Sequence, residues 1–104
     1  MCGIAGYIDF KKVSDDALVK TMVNTLSHRG PDDSGTKVFH TDNCTIGFGQ
    51  SRLSIIDLSQ GGHQPMQFKH LTIVFNGEIY NYQEIKEELR ALGHKFQSDS
   101  DTEA

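Results

Sequence analysis

The chain has 104 residues, 37% of them hydrophobic and 23% charged, so we expect one domain at most, large enough to bury a real core. Fourteen acidic side chains outnumber ten basic ones, and because the basic residues are scattered we expect no nucleic-acid partner. Without a long apolar run or a secretory signal, the sequence predicts no membrane association and a cytoplasmic location.

The first part of the chain predicts a strand followed by a helix. Gly3 to Ile8 is short, apolar and β-compatible, and pairing in a sheet would hold the N-terminus still. Ser14 is a favourable N-cap for a helix that Gly30 and Pro31 end. The apolar stripe at helical spacing, which we expect to enter the core, consists of Leu18, Val19, Met22, Val23 and Leu26.

The middle of the chain predicts a β-hairpin, in which residues 37–40 pair with residues 45–50 across a turn at 41–43. Gly47 and Gly49 would allow another backbone to approach one side of this hairpin. Residues 51–58 are predicted to continue as an extended segment, and residues 60–65 form a loop.

The last part of the chain predicts a buried strand at residues 71–75, a helix, and another short strand at residues 95–97. The helix is expected to begin at Asn81, with Glu84 as its capping-box partner, and to end at Gly93. Because helices and strands do not strictly alternate, we expect an α+β fold of mostly antiparallel sheet with helices packed on its faces.

Cys2 is the first residue with a chemical interpretation. A small residue in second place generally lets an aminopeptidase remove Met1, which would leave a cysteine carrying both a thiol and a free α-amino group. The thiolate is nucleophilic, and an α-amino group with a pKa of about 7.7–8.0 can serve as its base. The alternative is that Cys2 is simply a small buried residue.

Two further positions have both a structural and a chemical interpretation. Asn76-Gly77 is typical of a tight hairpin turn, yet the helix that follows fits a simple hairpin poorly. The same pair offers an amide and a backbone N–H, two donors for a developing oxyanion. Arg52 is either a surface-paired side chain or a bidentate partner for a carboxylate.

The sequence predicts no metal site. Its five histidines have no ligand-like spacing, and we expect a structural or solvent-facing role for each. Asp99, Asp101 and Glu103 alternate as at the start of a calcium loop, but the glycine that such a loop needs at its sixth position is missing.

Six sequence blocks follow one another in an order that is characteristic of a known family. They are Cys2-Gly3-Ile4-Ala5-Gly6, His28-Arg29-Gly30-Pro31-Asp32-Asp33, Arg52-Leu53-Ser54-Ile55-Ile56-Asp57-Leu58, Gln64-Pro65-Met66, Asn76-Gly77-Glu78-Ile79-Tyr80-Asn81 and Ser100-Asp101-Thr102-Glu103. With these blocks the chain resembles the glutaminase domain of class II glutamine amidotransferases, which are N-terminal-nucleophile hydrolases. The second and fourth blocks make the glutamine-hydrolysing asparagine synthetases the nearest branch.

The resemblance implies a fold and a catalytic centre. The family fold is a four-layer αββα sandwich with mostly antiparallel sheets. In such a domain Cys2 attacks the side-chain carboxamide of glutamine, and its own α-amino group serves as the base. The Asn76 side chain and the Gly77 N–H form the oxyanion hole.

The resemblance also implies how the substrate is held. Arg52 binds the α-carboxylate of glutamine, and Asp101, with Glu78, receives the α-ammonium group. The segment from Arg52 to Met66 corresponds to a loop that closes over glutamine. Glutamate and ammonia are the products, and no cofactor is expected in this domain.

The resemblance finally implies that residues 1–104 are the N-terminal portion of the glutaminase domain. The rest of that domain, and a synthetase domain that uses ATP and magnesium to amidate aspartate, would lie outside it. Alternatives are a sugar-acid or natural-product acceptor, or a fragment without activity. We expect the isolated chain to be inactive and its exposed strand edges to favour self-association.

Overall fold

A computed structural model describes residues 2–53 and 60–104. The main elements are β1 (Gly3–Asp9), α1 (Ala17–Asn24), β2 (Asp33–His40), β3 (Thr45–Arg52), β4 (Met66–Phe68), β5 (Leu71–Ile73) and α2 (Tyr82–Ala91). Short 3₁₀ turns lie at Gln60–Gly62 and Asp101–Glu103. Met1 and the predicted extended stretch at 54–58 lie outside the described residues.

The three long strands form one antiparallel sheet in the order β1-β3-β2. Gly3 pairs with Ser51 at one end of the sheet, and His40 pairs with Thr45 at the other. The predicted first strand and the predicted hairpin are therefore confirmed, and the hairpin extends four residues further back than predicted, to Asp33.

Helix α1 covers one face of this sheet. Val19 and Val23 are its buried side chains, and a Cβ at Gly49 would overlap Val23. A Cβ at Gly47 would overlap the ring of Tyr7 in the same way. The prediction that these glycines admit another backbone is therefore wrong: they make room for side chains of α1 and β1.

The ends of α1 differ from the prediction. The helix begins at Ala17, because Ser14 donates its hydroxyl to the carboxylate of Asp9 (2.6 Å), while Asp15 accepts from the Ala17 N–H. The pKa of Asp9 is lowered to about 2, chiefly by the hydrogen bond from the Ser14 hydroxyl. Hydrogen bonds from backbone N–H groups, including that of Val13, add to this effect. Ser14 is thus part of an Asp9-centred turn, and its prediction as N-cap is wrong.

The helix also ends earlier and buries a narrower stripe than predicted. It ends at Asn24, and turns continue to Arg29 before Gly30 and Pro31. Leu18 is 40% exposed, because the buried line on α1 runs through its valines.

The second half of the chain has less regular structure than predicted. Strands β4 and β5 form a small antiparallel sheet, but Leu71 and Ile73 are 58% and 44% exposed, so the prediction of a buried strand here is wrong. Residues 95–97 form no strand, because the carboxylate of Glu103 accepts the N–H groups of Gln97 and Ser98.

Helix α2 is confirmed within one residue of its predicted start, but its predicted capping box is wrong. Asn81 occupies the N-cap position and makes no side-chain cap hydrogen bond. Gly93 follows the helix with φ of +96°, a left-handed conformation that favours glycine.

The face of the large sheet away from α1 is apolar and partly exposed. Side chains alternate along a strand, so the residues next to those facing α1 point the other way. Ile4 and Ile8 of β1 are exposed on this face, and Phe39 and Phe48 meet there edge to face. The fold is therefore α+β with antiparallel sheets. Among the described residues no helix is long and apolar enough to cross a membrane.

Candidate active site

The β1–β3 ladder brings Cys2 beside the end of β3. Gly3 pairs with Ser51, so the residue before β1 emerges next to the residues that follow Ser51. The Cys2 Sγ lies 3.4 Å from the backbone N of Leu53 and 3.5 Å from its O. Alternation along the strands directs Cys2, Gln50 and Arg52 to the face away from α1.

Arg52 is the last residue of β3 and is 8% exposed. Its guanidinium packs on Gly62, where any Cβ would overlap it. Its Nη1 lies 3.9 Å from the Oδ2 of Asp33. Gly62 is thus required for the close approach that places the Arg52 guanidinium in the cleft.

The segment around Pro31 is held against β3 by hydrogen bonds from a backbone N–H and from a side chain. The Asp32 N–H donates to the Arg52 carbonyl at 3.0 Å, and the Ser51 hydroxyl donates to the Gly30 carbonyl at 2.5 Å. A Cβ at Gly30 would lie 2.5 Å from backbone atoms of β3. This close approach explains why glycine stands in the second sequence block.

Sequence reasoning missed a hydrogen bond beside Arg52. The Nδ1 of His63 lies 2.6 Å from the Oδ2 of Asp33, the same oxygen that faces the Arg52 guanidinium. We expected His63 to have a structural or solvent-facing role. The two partners are thirty residues apart, and no spacing in the sequence indicates their contact.

Asp101 is buried at the start of the last 3₁₀ turn, which Ser100 caps by accepting the N–H of Thr102. The Oδ2 of Asp101 accepts the N–H of Ile79 at 2.9 Å. Its other oxygen accepts no hydrogen bond from the described residues. The two sequence blocks that contain Glu78 and Asp101 are therefore in direct contact.

A second network that sequence reasoning missed supports this turn. Lys86 of α2 is buried and donates to the carbonyl of Ser98 at 2.9 Å, and its ammonium lies 5.0 Å from the centre of the Phe96 ring. Burial alone would raise the pKa of Glu103, but hydrogen bonds from Ser98 and Gln97 and the charge of Lys86 together lower it.

Two buried glutamines hold the backbone just before the Asn76-Gly77 pair. Gln50 donates from Nε2 to the Phe75 carbonyl at 2.8 Å, and Gln64 accepts the Phe75 N–H at 2.6 Å. Gln64 also donates to the hydroxyl of Thr102 at 3.1 Å. Neither glutamine was predicted to have this role.

These segments surround one open cleft with an empty volume of about 450 Å³, part of which is open solvent. Five of the six predicted site residues line it: Cys2, Arg52, Gly77, Glu78 and Asp101. Asn76 is exposed and does not line the cleft as the described residues form it.

The cleft contains one thiol, one guanidinium and two carboxylates, a set that suits a small zwitterion next to a nucleophile. In residues 2–53 and 60–104 no three histidine, cysteine, aspartate or glutamate side chains are grouped closely enough to hold a metal ion.

Known proteins that resemble this chain point to one family. A family model for a glutamine amidotransferase domain matches residues 1–104. Asparagine synthetase [glutamine-hydrolyzing] 3 of Bacillus subtilis is 45% identical over 109 residues, covering 99% of this chain and 17% of that protein. Asparagine synthetase [glutamine-hydrolyzing] 1 of the same bacterium is 47% identical over 109 residues, covering 99% and 16%.

A fungal protein is also similar: amidase chry2 of Gibberella zeae is 37% identical over 118 residues, covering 99% of this chain and 17% of that protein. The chain thus spans about a sixth of the length of these relatives. No solved structure matches it significantly.

Proposed function

The chain belongs to the glutamine amidotransferase domain family, and we propose that its cleft hydrolyses glutamine to glutamate and ammonia through a thioester on Cys2. The observation that carries the proposal is the meeting of the Cys2 thiol, the Arg52 guanidinium and the acidic side chains of Glu78 and Asp101 in one cleft. These residues are widely separated in sequence, from position 2 to position 101.

The cleft suits the zwitterionic end of glutamine. The planar guanidinium of Arg52 can donate two parallel hydrogen bonds to the α-carboxylate, because a pair of its N–H groups matches the spacing of the two carboxylate oxygens. Asp101 uses one oxygen for the Ile79 N–H, and its other oxygen, with Glu78, receives the α-ammonium group. A substrate held at this end would extend its carboxamide toward Cys2.

The proposed reaction begins once Met1 has been removed. The α-amino group of Cys2 takes the thiol proton, and Sγ forms a bond to the carboxamide carbon. The proton is then given to the departing nitrogen, which leaves as ammonia, and water cleaves the thioester to release glutamate and the free thiol. Water thus supplies the oxygen that replaces the lost nitrogen.

The oxyanion that forms in this step is proposed to bind to the Gly77 N–H and the Asn76 side chain. This role requires the exposed Asn76 side chain to turn toward the cleft when glutamine binds. Removing one such donor generally lowers kcat by about 10²- to 10³-fold.

We further propose that the chain is the N-terminal portion of a four-layer αββα domain. The apolar face of the large sheet, with Ile4 and Ile8 exposed on it, supports this view because a second sheet would cover it. The two bacterial relatives are named glutamine-hydrolyzing asparagine synthetases. We therefore propose that the ammonia passes to a separate synthetase domain, which would use ATP and magnesium to amidate aspartate. We assign no residue of this chain to ATP or magnesium.

The test is glutamate release from glutamine by the complete gene product. Cys2→Ala should abolish it, whereas Cys44→Ala, which changes the other cysteine in the turn of the β2–β3 hairpin, should leave it unchanged. Intact mass should show that Met1 is absent from the active protein. Glutaminase activity that survives in Cys2→Ala, or in protein that retains Met1, would contradict the mechanism.

A further inference from the structure

We propose that Gln50 and Gln64 position the oxyanion hole by holding the peptide groups of Phe75 through their side-chain amides. The proposal rests on the proposed function, because that function assigns the oxyanion hole to Asn76 and Gly77. Both glutamines are positioning residues, since neither is proposed to touch the reacting atoms of glutamine.

The two amides bind the peptide groups of Phe75, which has no strand partner among residues 2–53 and 60–104. Strand β5 ends at Ile73, so the peptide groups of Phe75 lie beyond its ladder with β4. Gln64 accepts the Phe75 N–H at 2.6 Å, and Gln50 donates to the Phe75 carbonyl at 2.8 Å. A backbone N–H only donates and a carbonyl only accepts, so these partners fix the orientation of both amides.

The contacts act at the entrance to the proposed oxyanion hole. The carbonyl held by Gln50 belongs to the same peptide group as the N–H of Asn76, so fixing one sets the plane of the other. The ring of Phe75 packs on Gly77, where a Cβ would lie 2.7 Å from the Phe75 Cζ. Both the backbone and the ring of Phe75 therefore constrain Asn76 and Gly77.

The last turn of the chain holds the other end of the same segment. Gln64 donates to the hydroxyl of Thr102 at 3.1 Å, and the neighbouring Asp101 accepts the N–H of Ile79 at 2.9 Å. Residues 76–78 are thus held at both ends, by Gln64 and Gln50 before them and by Asp101 after them. Because one turn anchors both the oxyanion hole and the ammonium-binding carboxylate, the two subsites keep a fixed separation.

Both glutamine side chains are buried, which makes their hydrogen bonds hard to replace. Gln50 is 1% exposed and Gln64 is 5% exposed, so water cannot readily replace a lost partner. Displacing an oxyanion-hole donor destabilises chiefly the transition state, in which the oxyanion forms. A displacement of about 1 Å can lower the reaction rate about 100-fold.

The kinetic test uses methionine, which keeps the length of glutamine and removes both hydrogen-bonding groups. In the complete gene product, Gln50→Met and Gln64→Met should each lower kcat for glutamine hydrolysis by about 10- to 100-fold and change KM by less than about threefold. The matched control is Gln67→Met on β4, whose side chain is exposed and bonds only to Thr72 among the described residues. It should behave as the unmodified protein.

A glutamate series distinguishes positioning from simple packing. Gln64→Glu keeps an acceptor for the Phe75 N–H, and the Thr102 hydroxyl can turn to donate, so this variant should recover part of the activity lost in Gln64→Met. Gln50→Glu should recover none, because a carboxylate cannot donate to the Phe75 carbonyl. If a methionine variant does not fold, this pair of glutamate variants decides the question.

Amide hydrogen exchange provides a readout that does not depend on activity. Exchange at Phe75 and at residues 76–79 should be faster in Gln64→Met than in Gln67→Met. Unchanged exchange together with unchanged kcat, or a rise in KM at constant kcat, would overturn the positioning role. If the unmodified protein does not hydrolyse glutamine, the proposed function fails, and the exchange result alone decides whether the two glutamines hold this segment.

Discussion

Replacing Gly62 with alanine should weaken glutamine binding without removing any functional group from the cleft. The Arg52 guanidinium packs on Gly62, and a Cβ there would lie 2.7 Å from Arg52 Cζ, whereas ordinary contact begins at 3.4 Å. The guanidinium is the far end of a flexible side chain and must therefore retreat by at least about 0.7 Å, a displacement large enough to misalign a bound substrate.

The size of the effect follows from the geometry of the bidentate pair. A guanidinium displaced by this much keeps at most one of its two bonds to the substrate carboxylate. A hydrogen bond to a charged group contributes about 1.5–3 kcal/mol. Because about 1.4 kcal/mol corresponds to a factor of ten, we expect binding to weaken about 10- to 150-fold.

Calorimetry in a Cys2→Ala background measures this binding without turnover. Arg52→Lys alone should also weaken binding, because a single ammonium cannot replace the fork, and adding Gly62→Ala should then change little. In the active protein KM should rise while kcat stays constant. Unchanged binding in Gly62→Ala, or additive losses in the double variant, would refute the assignment of Arg52 to the substrate carboxylate.

Three other predictions test the surroundings of the cleft. His63→Ala removes the nearer of the two side chains that face the Asp33 Oδ2 beside the Arg52 guanidinium, and should raise KM severalfold, whereas His40→Ala, which breaks an exposed pair with Asp16, should leave it unchanged. The pKa of Glu103 lies below its ordinary value of 4.5, so its stabilising effect is complete above that value and is lost as the pH falls through the folded pKa. The unfolding free energies of unmodified protein and Glu103→Gln should therefore converge in acid, and a constant difference would contradict this. The isolated chain should self-associate through the outer edges of β1 and β2, so a strictly monomeric sedimentation profile across the micromolar range would be evidence against it.

The large sheet could be predicted because its signals are local. Alternating small and apolar residues from Gly3 to Ile8, and two β-rich runs around a polar turn, are enough to indicate β1 and the β2–β3 hairpin. The ends of α1 could not be predicted in the same way. Ser14 has a side chain suited to an N-cap, but its hydroxyl donates to the carboxylate of Asp9 instead. The Ala17 N–H at the start of the helix donates to Asp15.

The site, like the fold, has residues that could be predicted from the sequence and residues that could not. Five of the predicted residues line one cleft, and that prediction came from ordered sequence blocks that resemble a family. The residues that hold them in place have no sequence signature. Gln64 contacts a residue thirty-eight positions away, and His63 one that is thirty positions away. Such pairs depend on how the segments pack, which periodicity and spacing do not report.

The cleft is held together mainly by buried polar contacts, and this connects its stability to the exposed apolar face of the large sheet. In the part of the chain that the structure describes, the buried hydrophobic side chains are Val19 and Val23, while buried polar ones such as Gln50, Gln64 and Asp101 hold the cleft. Buried polar contacts fix geometry strongly but contribute little net stability, because each replaces a contact with water. In the proposed four-layer arrangement, the apolar burial that stabilises the domain would come largely from covering the exposed face of the large sheet. Covering that face would add the stability that these polar contacts do not supply, which is the physical reason to expect little or no catalysis from these residues alone.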